Sequence, residues 1–336
     1  MATIFKEKTA MQDKTSYGFP GEPLYVISVI FNPHRYTSRM RLYEQFKEYM
    51  LNTKNVILYT VECSFGERES IIQDINESNH VVLKVQTSNE IWLKENLINI
   101  AVQRLPADWK YMAWIDADVS FARHDWATET VQQLQHYDVV QMFSHAQDLD
   151  KDEIPYQTHQ SFAYNFCNDD LEEKNNYNYT TGNKWHPGFA WAIKRKAFDS
   201  VGGLMDFPIL GAADNHMAWS IIGKGAKTIP QGISDGYKSK VLLWEKRALK
   251  GIKKNIGYVP GLLVHYFHGS KKYRKYADRW EILVKNNFNP ETDLIKDWQG
   301  LYCLETDCID LKKDCRNYFK QRNEDCIFLD DKERKL

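Results

Sequence analysis

Apolar runs without polar alternation, LYVISVIF (24–31), NVILYTVE (55–62) and YMAWI (111–115), recur along the chain between segments of helical periodicity. A strand of that kind buries both of its faces, which a sheet achieves only when helices cover both sides. Between the runs, Thr37–Leu51 carries Met40, Tyr43, Phe46 and Met50 at helical spacing, and Glu90–Leu105 does the same with Ile91, Leu97, Ile98 and Val102. A strand HVVLKVQ (80–86), a helix Ala127–His136 and a strand DVVQMFS (138–144) continue the alternation. The pattern predicts an α/β fold with a mixed, mostly parallel, Rossmann-like sheet and helices on both faces. Ligands of such sheets bind outside the carboxyl ends of the strands. Asn32, Glu62 and the pair Asp116/Asp118 all fall there.

The pair poses an electrostatic problem. YMAWI enters the core and ends in two carboxylates one residue apart, in KYMAWIDADVSF (110–121). A buried carboxylate without a partner costs several kcal/mol. Two acids at i and i+2, where a strand breaks into a loop, can turn toward one hard cation, Mg2+ or Mn2+, shared with phosphate oxygens of a ligand. An Asp-x-Asp alone is common, and surface acids at a strand end are the plainer alternative.

Three later segments add context. In VGGLMDFPILGAADNHMAWSII, Asp214 heads a helix, as an N-cap or as a reactive acid. An apolar strand ends in His265-x-x-His268-Gly, followed by a basic run with Lys271, Lys272 and Arg274. Net charge is −1 overall, yet Lys238–Lys285 holds 13 Lys/Arg against Glu245, Asp278 and Glu281, 13 − 3 = +10. Such a field attracts phosphates, although a solvated basic face has the same composition. The turn at His186-Pro-Gly188, with Trp185 before it and Trp191 beyond, offers aromatic faces for a sugar ring or base, and Trp191 reads as packing.

These pieces in this order resemble a nucleotide-sugar glycosyltransferase of the GT-A fold, of the kind found in bacteriophages and large viruses with a Trp-Ile-Asp-Ala-Asp strand and a His-Gly-Ser turn. The resemblance spans about residues 23–290. It implies a tail (1–22), a transferase domain (23–300) with a nucleotide half (about 23–145) and an acceptor half (about 146–300), and a C-terminal extension (301–336). It further implies that Asp116 and Asp118 hold Mn2+ (or Mg2+) and diphosphate, with His268 as the late metal ligand and His265 in reserve. Asn32, Arg35, Glu62, Asp116, Lys271 and Arg274 would bind the nucleotide sugar, a UDP-sugar being favoured, with Trp92–Asn96 as a second wall. Asp214 would be the base of an inverting displacement, with His186, Trp185 and Gly188 on the acceptor side. Ala213 stands where many members have Glu. The acceptor would be a glycan, a protein, a small molecule or modified DNA.

Other classes share parts of this pattern. A haloacid-dehalogenase phosphatase uses Asp-x-Asp-Val at the end of its first strand, whereas three strand candidates precede the motif here, and no Gly-Asp-Gly-x-x-x-Asp run follows. A nucleotidyltransferase also pairs acids with a metal but releases pyrophosphate. A non-catalytic sugar- or nucleotide-binding protein on the same scaffold would tolerate Asp214→Asn. No apolar run reaches the roughly 18 residues of a membrane span, and the start MATIFKEKTAMQDKTSYG is polar, so a cytoplasmic protein is expected. The six cysteines form no C-x-x-C pair and read as reduced thiols rather than late disulfides. Two sequons, at Asn76 and Asn178, carry no weight without a secretory signal. The stretch from Gln147 to Lys184 is polar throughout and reads as a long loop.

Overall fold

Side chains alternate between two cores along each apolar strand, which is why those strands show no polar face. The computed structural model describes residues 22–73, 77–171, 185–276 and 278–328, so both sequons and the 1–21 tail lie outside the described residues. Strands β1 (Leu24–Phe31), β2 (Val56–Phe65), β3 (His80–Thr87), β4 (Tyr111–Ile115), β5 (Val119–Phe121), β6 (Val139–Gln141), β7 (His145–Leu149) and β8 (Pro155–Ser161) come first in chain order. After them come β9 (Trp185–His186), β10 (Ala190–Lys194), β11 (Ile256–Tyr258), β12 (Leu262–His265), β13 (Leu294–Lys296) and β14 (Tyr302–Leu304). The main sheet has the order β11-β6-β10-β4-β1-β2-β3. It is parallel except at β10, which runs against both β4 and β6. The expected mixed, mostly parallel sheet is present.

On one face Tyr25, Ile27, Tyr59, Val61, Met112 and Trp114 join a large apolar core. On the other, Leu24, Val26, Leu58, Tyr111, Ala113 and Ile115 join a second. Helix α1 (Thr37–Leu51) supplies Phe46 and Met50 to the second core, and α2 (Lys94–Val102) supplies Leu97 and Ile98 to the first. The next helices are α3 (Trp126–His136), α4 (Phe162–Cys167), α5 (Arg195–Val201), α6 (Ala213–Ile221) and α7 (Asp235–Gly251). Two more, α8 (Asp278–Lys285) and α9 (Ile309–Lys320), follow. The Trp114 and Trp191 rings stack across the β4–β10 pair at 6.4 Å, fixing the reversed strand on its neighbour. All six cysteines are free thiols, Cys63 and Cys315 buried. Among the described residues no helix is long and apolar enough to cross a membrane.

Two expectations change. The helix expected at Glu90–Leu105 begins only at Lys94, because the Trp92 amide bonds Ile209 O at 2.7 Å and holds the chain extended ahead of it. The polar stretch beginning at Gln147 is not one loop: β7, β8 and α4 occupy its described part. These strands belong to a second sheet, β5-β12-β7-β8-β9, which buries Val119, Phe121, Ala146 and Leu263 beside polar groups. On β7 and β8 the buried positions include Asp148, His159 and Ser161, so the alternation of those strands is not an apolar one.

Helix α6 is anchored by a buried histidine. His216 Nδ1 lies 2.5 Å from Thr228 Oγ1, whose own hydroxyl donates to Gly225 O, so Nδ1–H donates. Nε2 then accepts from Tyr237 O–H at 2.9 Å. Burial, reinforced by Arg279, lowers the imidazole from 6.5 to about 3. Between those values the unfolded chain binds a proton that the folded chain does not, so stability is full above about pH 6.5 and falls as pH drops toward 3. Urea unfolding should show the wild type losing up to ~1.4 kcal/mol per pH unit relative to His216→Gln in that window. Equal slopes for the two proteins would refute the buried neutral histidine.

Candidate functional site

The carboxyl ends of β1 and β4 open into one cleft, closed by the start of α2, the turn before α6, the segment after β12 and the chain beyond α9. Five cations line it, Arg39, Lys94, Arg274, Arg279 and Arg322. Five carboxylates oppose them, Glu95, Asp116, Asp118, Asp214 and Glu324.

The Asp116/Asp118 pair is divided between different partners. Asp116 Oδ1 is bonded by Lys94 Nζ from the first residue of α2. Burial raises the Asp116 carboxyl and Lys94 opposes it, while Asp116 and Glu95 together hold the lysine charged against its own burial. Glu95 is buried, accepts Trp92 Nε1–H at 3.1 Å, and is pushed up to about 7 by burial, Lys94 opposing. Asp118 turns the other way. Its Oδ2 is 2.9 Å from His268 Nε2 and 3.9 Å from His265 Nε2, and one donor atom of each of the three lies within 4.8 Å of the others. Burial would raise Asp118, but His268, His265 and Arg274 outweigh it and keep the carboxylate ionised far below its usual range.

The donor set fits a divalent cation. His268 Nε2 is also 2.8 Å from Arg274 Nη2. A guanidinium only donates, so Nε2 would need a lone pair for Arg274 and a proton for Asp118, and it cannot satisfy both. A cation shared by Asp118 and His268 removes the conflict, and Asp118 Oδ1 is buried with no hydrogen-bond partner. One carboxylate and two imidazoles suit Mn2+ better than Mg2+, which prefers oxygen alone.

Strand register aims the second imidazole. His265 on β12 sits opposite Asp148 on the parallel β7 and opposite Val119 on β5. Asp148 Oδ1 accepts His265 Nδ1–H at 2.6 Å, which leaves Nε2 as a lone pair facing Asp118. Asp148 is fully buried and is held ionised, against burial, by Lys271, His159 and His265. His159 Nε2 lies 2.8 Å from its Oδ2, and Lys271 also bonds Gln157 Oε1 at 3.0 Å.

Asp214 lines the same cleft from the first turn of α6. Ala212, not Asp214, is the N-cap, in a left-handed conformation (φ 82°) and without a side-chain cap. The carboxylate is therefore left facing the cleft, its Oδ1 accepting the Asn215 amide at 2.8 Å. Gly188 stands directly behind it, since a Cβ there would come 2.6 Å from Asp214 Oδ2 and 3.0 Å from His186 Cε1. His186 lines the cleft, stacked on Phe189 at 3.8 Å, and burial keeps it neutral.

Other expected residues fall elsewhere. Asn32 lines the cleft, but its amide donates to Tyr36 O and accepts from Tyr36 N, closing the turn after β1. Arg35, at φ 55°, points outward from that turn and is exposed. Glu62 is buried and accepts the Ile72 amide at 3.0 Å along with Ile71 N and Ser70 Oγ, so it anchors a loop rather than a ligand. Lys271 serves Asp148, and Trp185 is buried against Phe162 and Trp219. Neither lines the cleft. In their place stand Arg39, Lys94, Arg279, Arg322 and Glu324. Glu324 accepts Arg39 Nη2 at 2.7 Å and Arg322 Nε at 2.8 Å, and Asp325 next to it accepts the Thr37 and Ser38 amides at the start of α1.

No family model and no curated protein matches the chain. Among solved structures it is similar to a mannosyltransferase from Pyrobaculum calidifontis in complex with GDP-Man and Mn2+, at 14% identity and TM-score 0.39 over 82% of this chain and 67% of that one. S. aureus TarS (1–349) aligns at 10% identity and TM-score 0.39, covering 79% of each chain. The catalytic domain of Drosophila beta1,4galactosyltransferase 7, in complex with xylobiose, aligns at 9% identity and TM-score 0.39 over 88% of this chain and 98% of that one.

Asp148 should matter to metal binding although it touches no ligand. Orienting partners of metal-bound histidines typically carry 10–100-fold in affinity. Asp148→Asn should weaken Mn2+ binding by about that factor in calorimetry, and an unchanged affinity in a folded variant would show that His265 needs no such partner. Gly188→Ala should displace the Asp214 carboxylate, visible as a shifted Asp214 side chain in a crystal structure of the variant.

Proposed function

We propose that the protein is a metal-dependent glycosyltransferase of GT-A type that moves a hexose or related sugar from a nucleotide-diphosphate sugar, UDP-sugar favoured, to an acceptor hydroxyl. One observation carries the reading. A single cleft at the strand ends holds a cation-ready group (Asp118, His265, His268) beside cationic side chains, together with a separate carboxylate, Asp214, outside that group. The nucleotide would occupy the half built from about residues 23–145, and the acceptor the half from about 146–300.

Asp118, His265 and His268 would hold Mn2+, which when bound supplies Lewis-acid neutralisation of diphosphate charge. Arg274, freed from His268, would add donors to the departing nucleoside diphosphate. Lys94 keeps Asp116 neutralised at the floor of the cleft, so this second carboxylate does not repel the phosphates. Asp214 would accept the proton of the acceptor hydroxyl, its carboxylate held in place by the Asn215 amide and the closely packed Gly188. A base set apart from the metal group suits an inverting displacement. His186, neutral and stacked on Phe189, would present one ring edge to the acceptor.

A panel of UDP-, GDP- and other nucleotide sugars with and without Mn2+, scored for nucleotide release, tests this. Release of nucleoside diphosphate that needs Mn2+ and disappears in Asp118→Ala is the expected result. Asp214→Asn should lower turnover ~10²–10⁴-fold with donor binding retained. Pyrophosphate as the product would assign the site to nucleotidyl transfer instead. No release from any donor, with EDTA making no difference, would overturn the proposal.

A further inference from the structure

Four of the five cations in the cleft have a partner within it. Arg39 and Arg322 bond Glu324, Lys94 bonds Asp116, and Arg274 bonds His268 and Tyr276. Arg279 is different. Among the described residues it makes neither an ion pair nor a hydrogen bond, and its Nε is buried without a partner. Aromatic rings hold it instead, with its guanidinium carbon 5.1 Å from the Tyr276 ring centre and 5.3 Å from that of Trp280. Rings orient a guanidinium without neutralising it. A positioned, half-buried arginine with no counter-charge is what a site for an oxyanion requires.

Its position indicates which part of a substrate it would meet. Arg279 Nη1 reaches over the turn before α6, where a Cβ on Gly211 would stand 3.4 Å from it. Gly211 has φ +89°, a conformation that glycine adopts without strain, and the guanidinium uses the space a side chain would fill. Three residues later comes Asp214, and Asn215 beside it has a buried Oδ1 with no partner that also lines the cleft. Trp92 packs on the same glycine, 3.7 Å from that Cβ, and carries the Arg322 guanidinium over its ring at 5.3 Å. Arg279 is therefore placed at the turn that carries Asp214, and it shares the Tyr276 ring with Arg274. Arg274, next to His268, belongs with the metal group.

We propose that Arg279 receives an oxyanion carried by the acceptor, so that the acceptor class is a hydroxyl compound bearing a phosphate or carboxylate close to the hydroxyl that is glycosylated. The assignment of Asp214 to the acceptor side, on which this rests, comes from the transferase reading; the bare guanidinium does not depend on it. Asn215 Oδ1 supplies an acceptor for a neighbouring hydroxyl of the same molecule, and Trp92 an apolar face beside it.

The test measures binding to full-length protein with Mn2+ and UDP present, using glucose 6-phosphate, glucuronate and glucose, with glycerol 3-phosphate, inorganic phosphate and glycerol as a second set. At least one charged probe should bind ~10-fold or more tightly than its neutral counterpart. Arg279→Gln should erase that preference while leaving Mn2+–UDP affinity and melting temperature unchanged, and Arg279→Lys should restore part of it. Whether the phosphate or the carboxylate probe wins identifies the oxyanion. The proposal is overturned if charged and neutral probes bind alike, if the preference survives in Arg279→Gln, or if that variant loses UDP instead, which would move Arg279 to the donor. Should no nucleoside diphosphate bind the wild type, the transferase reading fails, and the same probes with Mn2+ alone still decide for or against an anion at Arg279.

Discussion

A fully buried carboxylate sets the geometry of the cleft. Asp148 has no access to water, so its charge is sustained only by the three groups that converge on it. Each of those contacts also orders something else. Lys271 ties down the start of the basic segment after β12, His159 locks β8 against β7, and His265 is turned so that its free nitrogen faces Asp118. Removing one partner from a buried charge network is strongly destabilising. The second sheet therefore acts as a rigid mount for the histidine side of the site, while the main sheet carries the aspartate side.

Where the two sheets meet, charge is allotted pair by pair. Lys94 takes Asp116, and His268 and His265 take Asp118, so two acids one residue apart face different surroundings. One carboxylate is held by a lysine and the other by two imidazoles, and both line the cleft. Glu95, pushed up to about 7 by burial, sits beside them. The two acids of the Asp-x-Asp thus face one cleft from different sets of neighbours.

The main sheet was legible in the sequence because its strands bury both faces and so announce themselves as unbroken apolar runs; β1, α1 and β4 fall on the residues their patterns indicate. Of the second sheet, β12 was legible as the apolar run ending in His265, whereas β7 and β8 bury Asp148, His159 and Ser161 and so offer no apolar alternation to read. In the site, Asp118, Asp214, His265 and His268 stood out by residue type at strand and helix ends. Glu62 and Lys271 also looked like ligand residues, but spacing cannot tell a charge that meets a substrate from one spent on a loop or a buried partner. Lys94 lay in the Trp92–Asn96 segment expected as a second wall and Arg279 in the basic stretch, while Arg39, Arg322 and Glu324 carried no local signal, for their roles exist only once distant segments are brought together.

The closing stretch of the described chain has a consequence for how the protein comes into being. Glu324 holds two arginines of the cleft and Asp325 caps the first turn of α1, a partnership spanning 288 residues. The parallel strands β1, β2 and β3 can pair while Arg39 still lacks its carboxylate, which comes from the distant segment at Glu324. A chain in which that segment is undocked thus presents a sheet without a finished cleft. The cleft is completed by the same few residues that fasten α1 to the segment after α9.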